Sequence, residues 1–256
     1  MHFKLQFMIL TSSLETFGRY CLFIKRVLTI PDRWNEFFKR TSLEITKLGV
    51  NSIPLVLIIA VFIGAVIAIQ MQLNIMSPLI PSYAVGMCTR ETVLLEFSSS
   101  ILALILAGKV GSNIVSEIGT MRVTEQIDAL EIMGINSCNF LVLPKVVAFL
   151  IYMPILVIFC MVSSLYGGYL VSVFTDLFPT SRYIYGIQTM FTEWYVWYGL
   201  IKSLFFSFVI TTVAAFFGYY VKGGALQVGK ASTNAVVTSS IIILLLDVAL
   251  TNLLLQ

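Results

Sequence analysis

The sequence predicts an all-α integral membrane protein: about five transmembrane helices, N-terminal interfacial helices and one short cytoplasmic helix. Three observations predict it. Of the 256 residues, 58% are hydrophobic and 11% charged, with a mean hydropathy of +0.94. A soluble domain carries roughly 25% charged residues, so this chain has too few to cover a solvated surface. The charges are also segregated, with none between Lys47 and Arg90 and none between Lys145 and Asp176. Uncharged stretches of that length exceed the roughly 20 apolar residues that cross a bilayer as a helix.

Residues 1–47 hold eight of the sixteen basic residues. Leu14, Phe17, Cys21, Ile24 and Leu28 recur at spacings of three and four, so they share one helical face, with Arg19, Lys25 and Arg26 elsewhere. Pro31 ends that helix, and a second segment carries Trp34, Phe37, Phe38, Lys39 and Arg40. Basic amphipathic helices bearing aromatics suit a membrane interface; a cytosolic helix packed on protein is the alternative. Lys4 and Gln6 interrupt the apolar core that a secretory signal needs. Residues 1–47 are therefore assigned to the interface and 48–256 to a transmembrane domain.

Five spans are expected at about 49–73, 84–110, 144–174, 194–220 and 234–255. A turn with Pro78 and Pro81 joins the first two, and a loop with Asp176, Pro179 and Arg182 joins the third and fourth. With the N-terminus inside, thirteen basic residues fall on the cytoplasmic side against three outside (Arg90, Arg182, Lys202). The positive-inside rule therefore places the N-terminus in the cytoplasm. Ala60, Gly64 and Ala68, and again Ala103, Ala107 and Gly111, form small-residue ridges that let helix backbones approach closely, within the chain or between copies.

Charges inside spans are costly, roughly 2.5–3.5 kcal/mol each on insertion scales, and are functional candidates for that reason. Glu96 and Asp247 are placed near mid-depth of spans two and five, and Lys202 somewhat nearer the outer face in span four. Opposite sign and similar depth pair Glu96 with Lys202. A purely structural helix–helix contact carries equal weight with a part in transport.

Ser116–Gly134, between spans two and three, reads as one amphipathic helix too short to span. Val123, Ile127 and Leu130 make its apolar stripe, and Gly134 is a suitable stop. Glu117, Glu125, Asp128 and Glu131 oppose Arg122 alone. An anionic leaflet attracts basic helices, so this acidic one is expected to face protein.

Other chemistry has few candidates. The cysteines Cys21, Cys88, Cys138 and Cys160 lack metal-ligand spacing, and the single histidine is His2. Neither catalytic residues nor a metal is expected, nor a nucleic-acid partner. Gly224–Lys230 fits the GxxxxGK start of a phosphate loop, but Ala231 stands where a hydroxyl is needed and no strand precedes it. ATP and Mg are therefore expected on a partner chain, and no cofactor on this one.

The run Glu117-Ile118-Gly119-Thr120-Met121-Arg122-Val123-Thr124-Glu125-Gln126-Ile127-Asp128-Ala129-Leu130, followed by Met133-Gly134, resembles the signature of the MlaE/YrbE permease family. Leu106–Ser112, Phe62-Ile63-Gly64, Leu141–Lys145, Ile201-Lys202-Ser203 and Leu246-Asp247 are similar to it as well. The resemblance covers nearly everything beyond about residue 45. Where that family often has Arg-Glu-Leu-Gly-Pro, this chain has Leu95-Glu96-Phe97-Ser98-Ser99, keeping the glutamate alone; Arg90 is the nearest replacement for the arginine.

The resemblance implies the permease subunit of an ABC transporter in a bacterial inner membrane. It implies a homodimer with cytoplasmic ATPase subunits and a periplasmic MCE-domain protein, moving phospholipid or a related lipid between membranes. The acidic helix would then be the ATPase-coupling helix. An ion-coupled secondary transporter using Glu96 and Asp247 is the rival, but it predicts internal repeats that are not visible. A lipid-modifying membrane enzyme is disfavoured by the dearth of catalytic groups.

Overall fold

The computed structural model describes residues 2–31, 33–75 and 81–255, with side-chain surroundings from Glu15 onward. Pro78 in the first turn, and the side chains of His2, Lys4, Gln6 and Leu14, lie outside the described set. Among the described residues eight helices are distinguished: α1 (His2–Val27), α2 (Trp34–Asn74), α3 (Ala84–Val123), α4 (Gln126–Ile132), α5 (Ser137–Phe174), α6 (Thr180–Gln188), α7 (Trp194–Tyr219) and α8 (Ala225–Leu255). Five of these, α2, α3, α5, α7 and α8, are long and apolar enough to cross a membrane. They define a basic end, holding α1, α4 and the α7–α8 turn, and a far end, holding α6.

Helix boundaries differ from expectation where no residue stops a helix. The segment from Trp34 runs unbroken into the first span, so the assigned 47/48 boundary falls inside α2, within a π-helical turn at Ile45–Gly49. Pro54 does not stop it, because it sits in the first α-helical turn after that π turn and a short 3-10 turn. A missing N–H is tolerated in a first turn. For the same reason α8 begins nine residues before the expected 234, and α3 continues past 110 to Val123.

The two small-residue ridges both pack inside the chain. Ala60 and Ala68 are buried, and a Cβ on Gly64 would collide with the Ser164 backbone carbonyl of α5. One on Gly167 would strike the Val61 carbonyl in return. The glycines thus set how closely α2 and α5 cross, the most extensive helix contact in the molecule. Ala103, Ala107 and Gly111 of α3 are buried, Gly111 facing Ala214 and Ile210 of α7. Helix α7 is central, touching α3, α5 and α8, whereas α8 leans mainly on α3 and α7 and leaves much of its other face exposed.

Helix α1 packs on the protein with a face other than its apolar stripe. Phe17, Cys21 and Leu28 are exposed, while Phe23 and Val27, next to half-buried Tyr20, pack on the end of α7 against Phe216 and Tyr219. Tyr20 and Thr212 share a hydroxyl hydrogen bond of 2.7 Å. The Asn139 amide donates to the Val27 and Thr29 carbonyls at 3.0 and 2.5 Å, fixing the chain reversal after α1.

At the far end, Arg90 is fully buried and donates to the carbonyls of Ile187, Thr189 and Met190 at 2.8, 2.7 and 3.1 Å. It caps the C-terminus of α6, where orphan carbonyls favour a cation. It therefore does not replace the arginine missing near Glu96.

Candidate functional site

The intramembrane charges come together as a triad. Lys202, fully buried on α7, lies 2.5 Å from Asp247 Oδ1 on α8 and 3.2 Å from Glu96 Oε2 on α3. Pairing by depth singled out Glu96 and Lys202 and omitted Asp247, which makes the shorter contact. The omission was not forced by depth, since the end of the fifth span and the start of the fourth were placed correctly. Ending at Leu255, α8 puts Asp247 about 12 Å from its end at 1.5 Å per residue, the level of Lys202 in α7.

Around the charges is a set of hydroxyls that sequence reasoning missed. Lys202 Nζ donates to Tyr198 Oη at 2.9 Å and to Thr251 Oγ1 at 3.3 Å, and Ser100 Oγ reaches Asp247 at 2.7 Å and Glu96 at 3.2 Å. The signal was present: Glu96/Ser100, Tyr198/Lys202 and Asp247/Thr251 are each four residues apart, one pair per helix, so each pair shares a face. Glu96 and Ser100 lie in a π-helical stretch, Val93–Ile101, and such wide turns are often found at functional sites. Beside them Ser98 and Ser99 are buried, with hydroxyls that make no hydrogen bond among the described residues.

Two carboxylates face one ammonium, so the fully ionised triad carries one excess negative charge. Lys202 is wholly enclosed, while the Glu96 side chain is 41% exposed. Chemically the triad locks α3, α7 and α8 together and presents one carboxylate outward.

The connection between the second and third spans is not one helix. Helix α3 ends at Val123, Glu125 takes a left-handed φ of 61°, and α4 runs only from Gln126 to Ile132. Gly134, at φ 76°, closes α4 by a Schellman motif, with Ile135 N–H donating to the Leu130 carbonyl at 3.1 Å and Gly134 N–H to that of Glu131 at 3.0 Å. The reversal at Thr124–Glu125 has a physical cause. A straight continuation would carry the apolar stripe off the end of the bundle, whereas the fold-back buries Ile127 completely and packs Leu130 on the core.

Most of the acidic residues are engaged within the chain. Glu117 lies 2.5 Å from Lys47 and 2.9 Å from Lys145, which is buried and also holds Glu44 at 2.5 Å. Arg122 pairs with Asp128 at 2.5 Å. Glu131 accepts from the Tyr219 hydroxyl at 2.7 Å and the Ser137 hydroxyl at 2.9 Å, which holds its carboxyl below the ordinary glutamate range. Of the four carboxylates expected to face a partner, Glu125 alone makes no such contact among the described residues. Beside exposed Thr124, Glu125, Gln126 and Glu131, the connection presents two large apolar side chains outward: Ile132 is 87% exposed and Met133 65%.

Comparison with known proteins agrees with this architecture. The model of the family described as Permease MlaE matches residues 41–253, which reaches into all five spans. The chain belongs to the MlaE permease family. It is 35% identical over 239 residues to a probable ABC transporter permease protein of Rickettsia bellii, covering 93% of this chain and 92% of that one. A probable ABC transporter permease protein of Synechocystis is 32% identical, covering 85% of this chain and 83% of its own. The intermembrane phospholipid transport system permease protein MlaE of Haemophilus influenzae is 31% identical, covering 80% and 78%. The MlaE match contains the α3–α4 connection and Glu96, Lys202 and Asp247 alike.

Proposed function

We propose that this chain is the membrane-spanning permease subunit of an ABC-type transporter that moves phospholipid or a related lipid between the inner and outer membranes of a bacterial envelope. The observation that carries the reading is the MlaE match over residues 41–253, spread across all five spans. In this reading the basic end, with the N-terminus, faces the cytoplasm. A separate ATPase binds and hydrolyses ATP there, and a periplasmic MCE-domain protein meets the far end. The chain itself is non-catalytic.

The ATPase docks on the α3–α4 connection. Its groove receives Ile132 and Met133, while the ion pairs of Glu117, Arg122 and Asp128 and the packing of Ile127 and Leu130 keep that tip rigid, with Val123 at the end of α3. Glu125, at the left-handed turn, supplies register to a basic rim. The permease acts as a homodimer. The outward face of α8 supports this, with Val237, Ile241, Leu244 and Leu245 all exposed. Glu96 faces the lipid pathway as the exposed carboxylate of a triad that ties three spans together. The test is lipid transfer between vesicles by the reconstituted complex. ATP-dependent transfer of phospholipid is expected, and transfer equally fast without ATP would contradict the reading.

A further inference from the structure

We propose that Tyr219 is a positioning residue for transport, its hydroxyl being the link that carries a displacement of the docking connection into α7. The inference rests on the transport reading above and names a part that reading leaves unassigned. Tyr219 is the last residue of α7 and is only 5% exposed. Its ring lies against Phe23 of α1, with 5.5 Å between centroids. Its hydroxyl donates to Glu131 Oε1 of α4 at 2.7 Å and stands 2.9 Å from Ser137 Oγ at the start of α5. A phenylalanine would fill the space beside Phe23 equally well. The hydroxyl is what aims the residue at α4.

Among the described residues three side-chain polar contacts fasten α4 to the rest of the chain. Asp128 ties it to Arg122 of α3, Glu131 to Ser137 of α5, and Glu131 again to Tyr219 of α7. The first two hold α4 to the helices that precede and follow it in the chain. The third alone reaches a remote element, 88 residues away. That element is the central helix, in contact with α3, α5 and α8, and it carries Lys202 of the intramembrane triad. About 26 Å of unbroken helix separates Tyr219 from Lys202. Coupling over such distances travels through rigid elements joined by directional contacts. The α4 tip, the Glu131–Tyr219 bond, α7 and the triad form one such series. Cutting the bond leaves α4 held to α3 and α5, so the dock survives while its grip on α7 is lost.

The test compares reconstituted complexes for lipid transferred per ATP hydrolysed, below the unfolding midpoint of every variant. The probe is fluorescent phosphatidylethanolamine in vesicles of phosphatidylethanolamine and phosphatidylglycerol. Tyr219→Phe keeps the ring against Phe23 and the Ser137–Glu131 contact, so the ATPase should copurify in normal amount and still hydrolyse ATP. Lipid transferred per ATP should fall about tenfold, the scale of one hydrogen bond to a charged group. A loss of stability alone would not move that ratio. Glu131→Ala, which cuts the link from its other side, should lower the ratio as well, and the double variant should fall no further. Tyr220→Phe removes a neighbouring hydroxyl that makes no hydrogen bond among the described residues, and it should keep the wild-type ratio. Ser137→Ala loosens Glu131 from α5 but spares its bond to Tyr219, so its loss should be smaller. An unchanged ratio in Tyr219→Phe, or an equal fall in Ser137→Ala or Tyr220→Phe, would overturn the inference. Loss of the ATPase from Tyr219→Phe would make the residue part of the dock's own fold and overturn it equally. A wild-type complex that moves no lipid with ATP would instead overturn the transport reading, and this inference with it.

Discussion

Lys202 is the residue whose environment says most. Fully buried, it has two carboxylate partners, and Asp247 is the nearer. Removing Glu96 leaves the Lys202–Asp247 pair, whereas removing Lys202 strands two carboxylates. Breaking a buried pair from one side costs roughly 3–5 kcal/mol. Lys202→Met should therefore lower the unfolding midpoint in detergent most, Asp247→Asn less and Glu96→Gln least, with Lys202→Met/Asp247→Asn milder than the sum. Equal, additive losses would show that the triad is not coupled. Glu131 gives a pH-dependent counterpart. The Tyr219 and Ser137 hydroxyls hold its carboxyl below the ordinary glutamate range, so the folded state favours the ionised form. That contribution is present above the unfolded value of about 4.3 and is lost as pH falls through the lower folded value. Wild type should exceed Glu131→Gln in stability near neutral pH, and the gap should close in acid; a gap unchanged down to pH about 3 would contradict it. Charges inside spans were legible because so few exist. Asp247's place in the triad was not, because it depends on which faces three helices turn inward.

At the scale of elements, uncharged length marked the first and third spans, apolar length with few charges marked the other three, and small-residue spacing marked the close crossings. Helix ends were less legible. Nothing between Trp34 and Asn74, or between Ala225 and Leu255, stops a helix, so interfacial and spanning segments merge. The Ser116–Gly134 segment shows the converse. Its helical periodicity was genuine, yet the chain breaks at Thr124–Glu125 because burying Ile127 and Leu130 requires a fold-back, and propensity does not register tertiary burial. Its acidity pointed outward to a partner, whereas Glu117 is neutralised by Lys47 and Lys145, residues remote in sequence. The α2–α5 crossing permits a sharp test. A side chain at Gly64 would meet the Ser164 backbone, which cannot move aside as a flexible side chain would. Overpacking typically costs about 1–3 kcal/mol, so Gly64→Val should lower the unfolding midpoint or the yield of folded protein in membranes. Gly108→Val, where no atom stands within 4 Å of the added Cβ, should be tolerated far better. Equal effects would mean that the crossing is not set by glycine.

For the whole molecule, the five spans divide the chain into a basic end built of ion pairs and aromatics and a far end clasped by Arg90. Between them lie apolar faces that cover no part of the chain itself. Membership of a permease family suggests a transporter subunit, and the proposed function supplies it with a separate ATPase. The central claim is that an ATPase drives it by docking on the α3–α4 connection. Ile132 and Met133 are exposed there and outside the spans, so replacing both with Asp leaves the triad, the ion pairs and the helix crossings untouched. Burying an unpaired charge in an apolar groove costs several kcal/mol, and each 1.4 kcal/mol is tenfold in affinity. The decisive measurement is the amount of ATPase recovered with tagged Ile132→Asp/Met133→Asp protein from native membranes, against wild type at equal membrane abundance. The account predicts that the ATPase is lost while the permease still inserts, and undiminished recovery would contradict it.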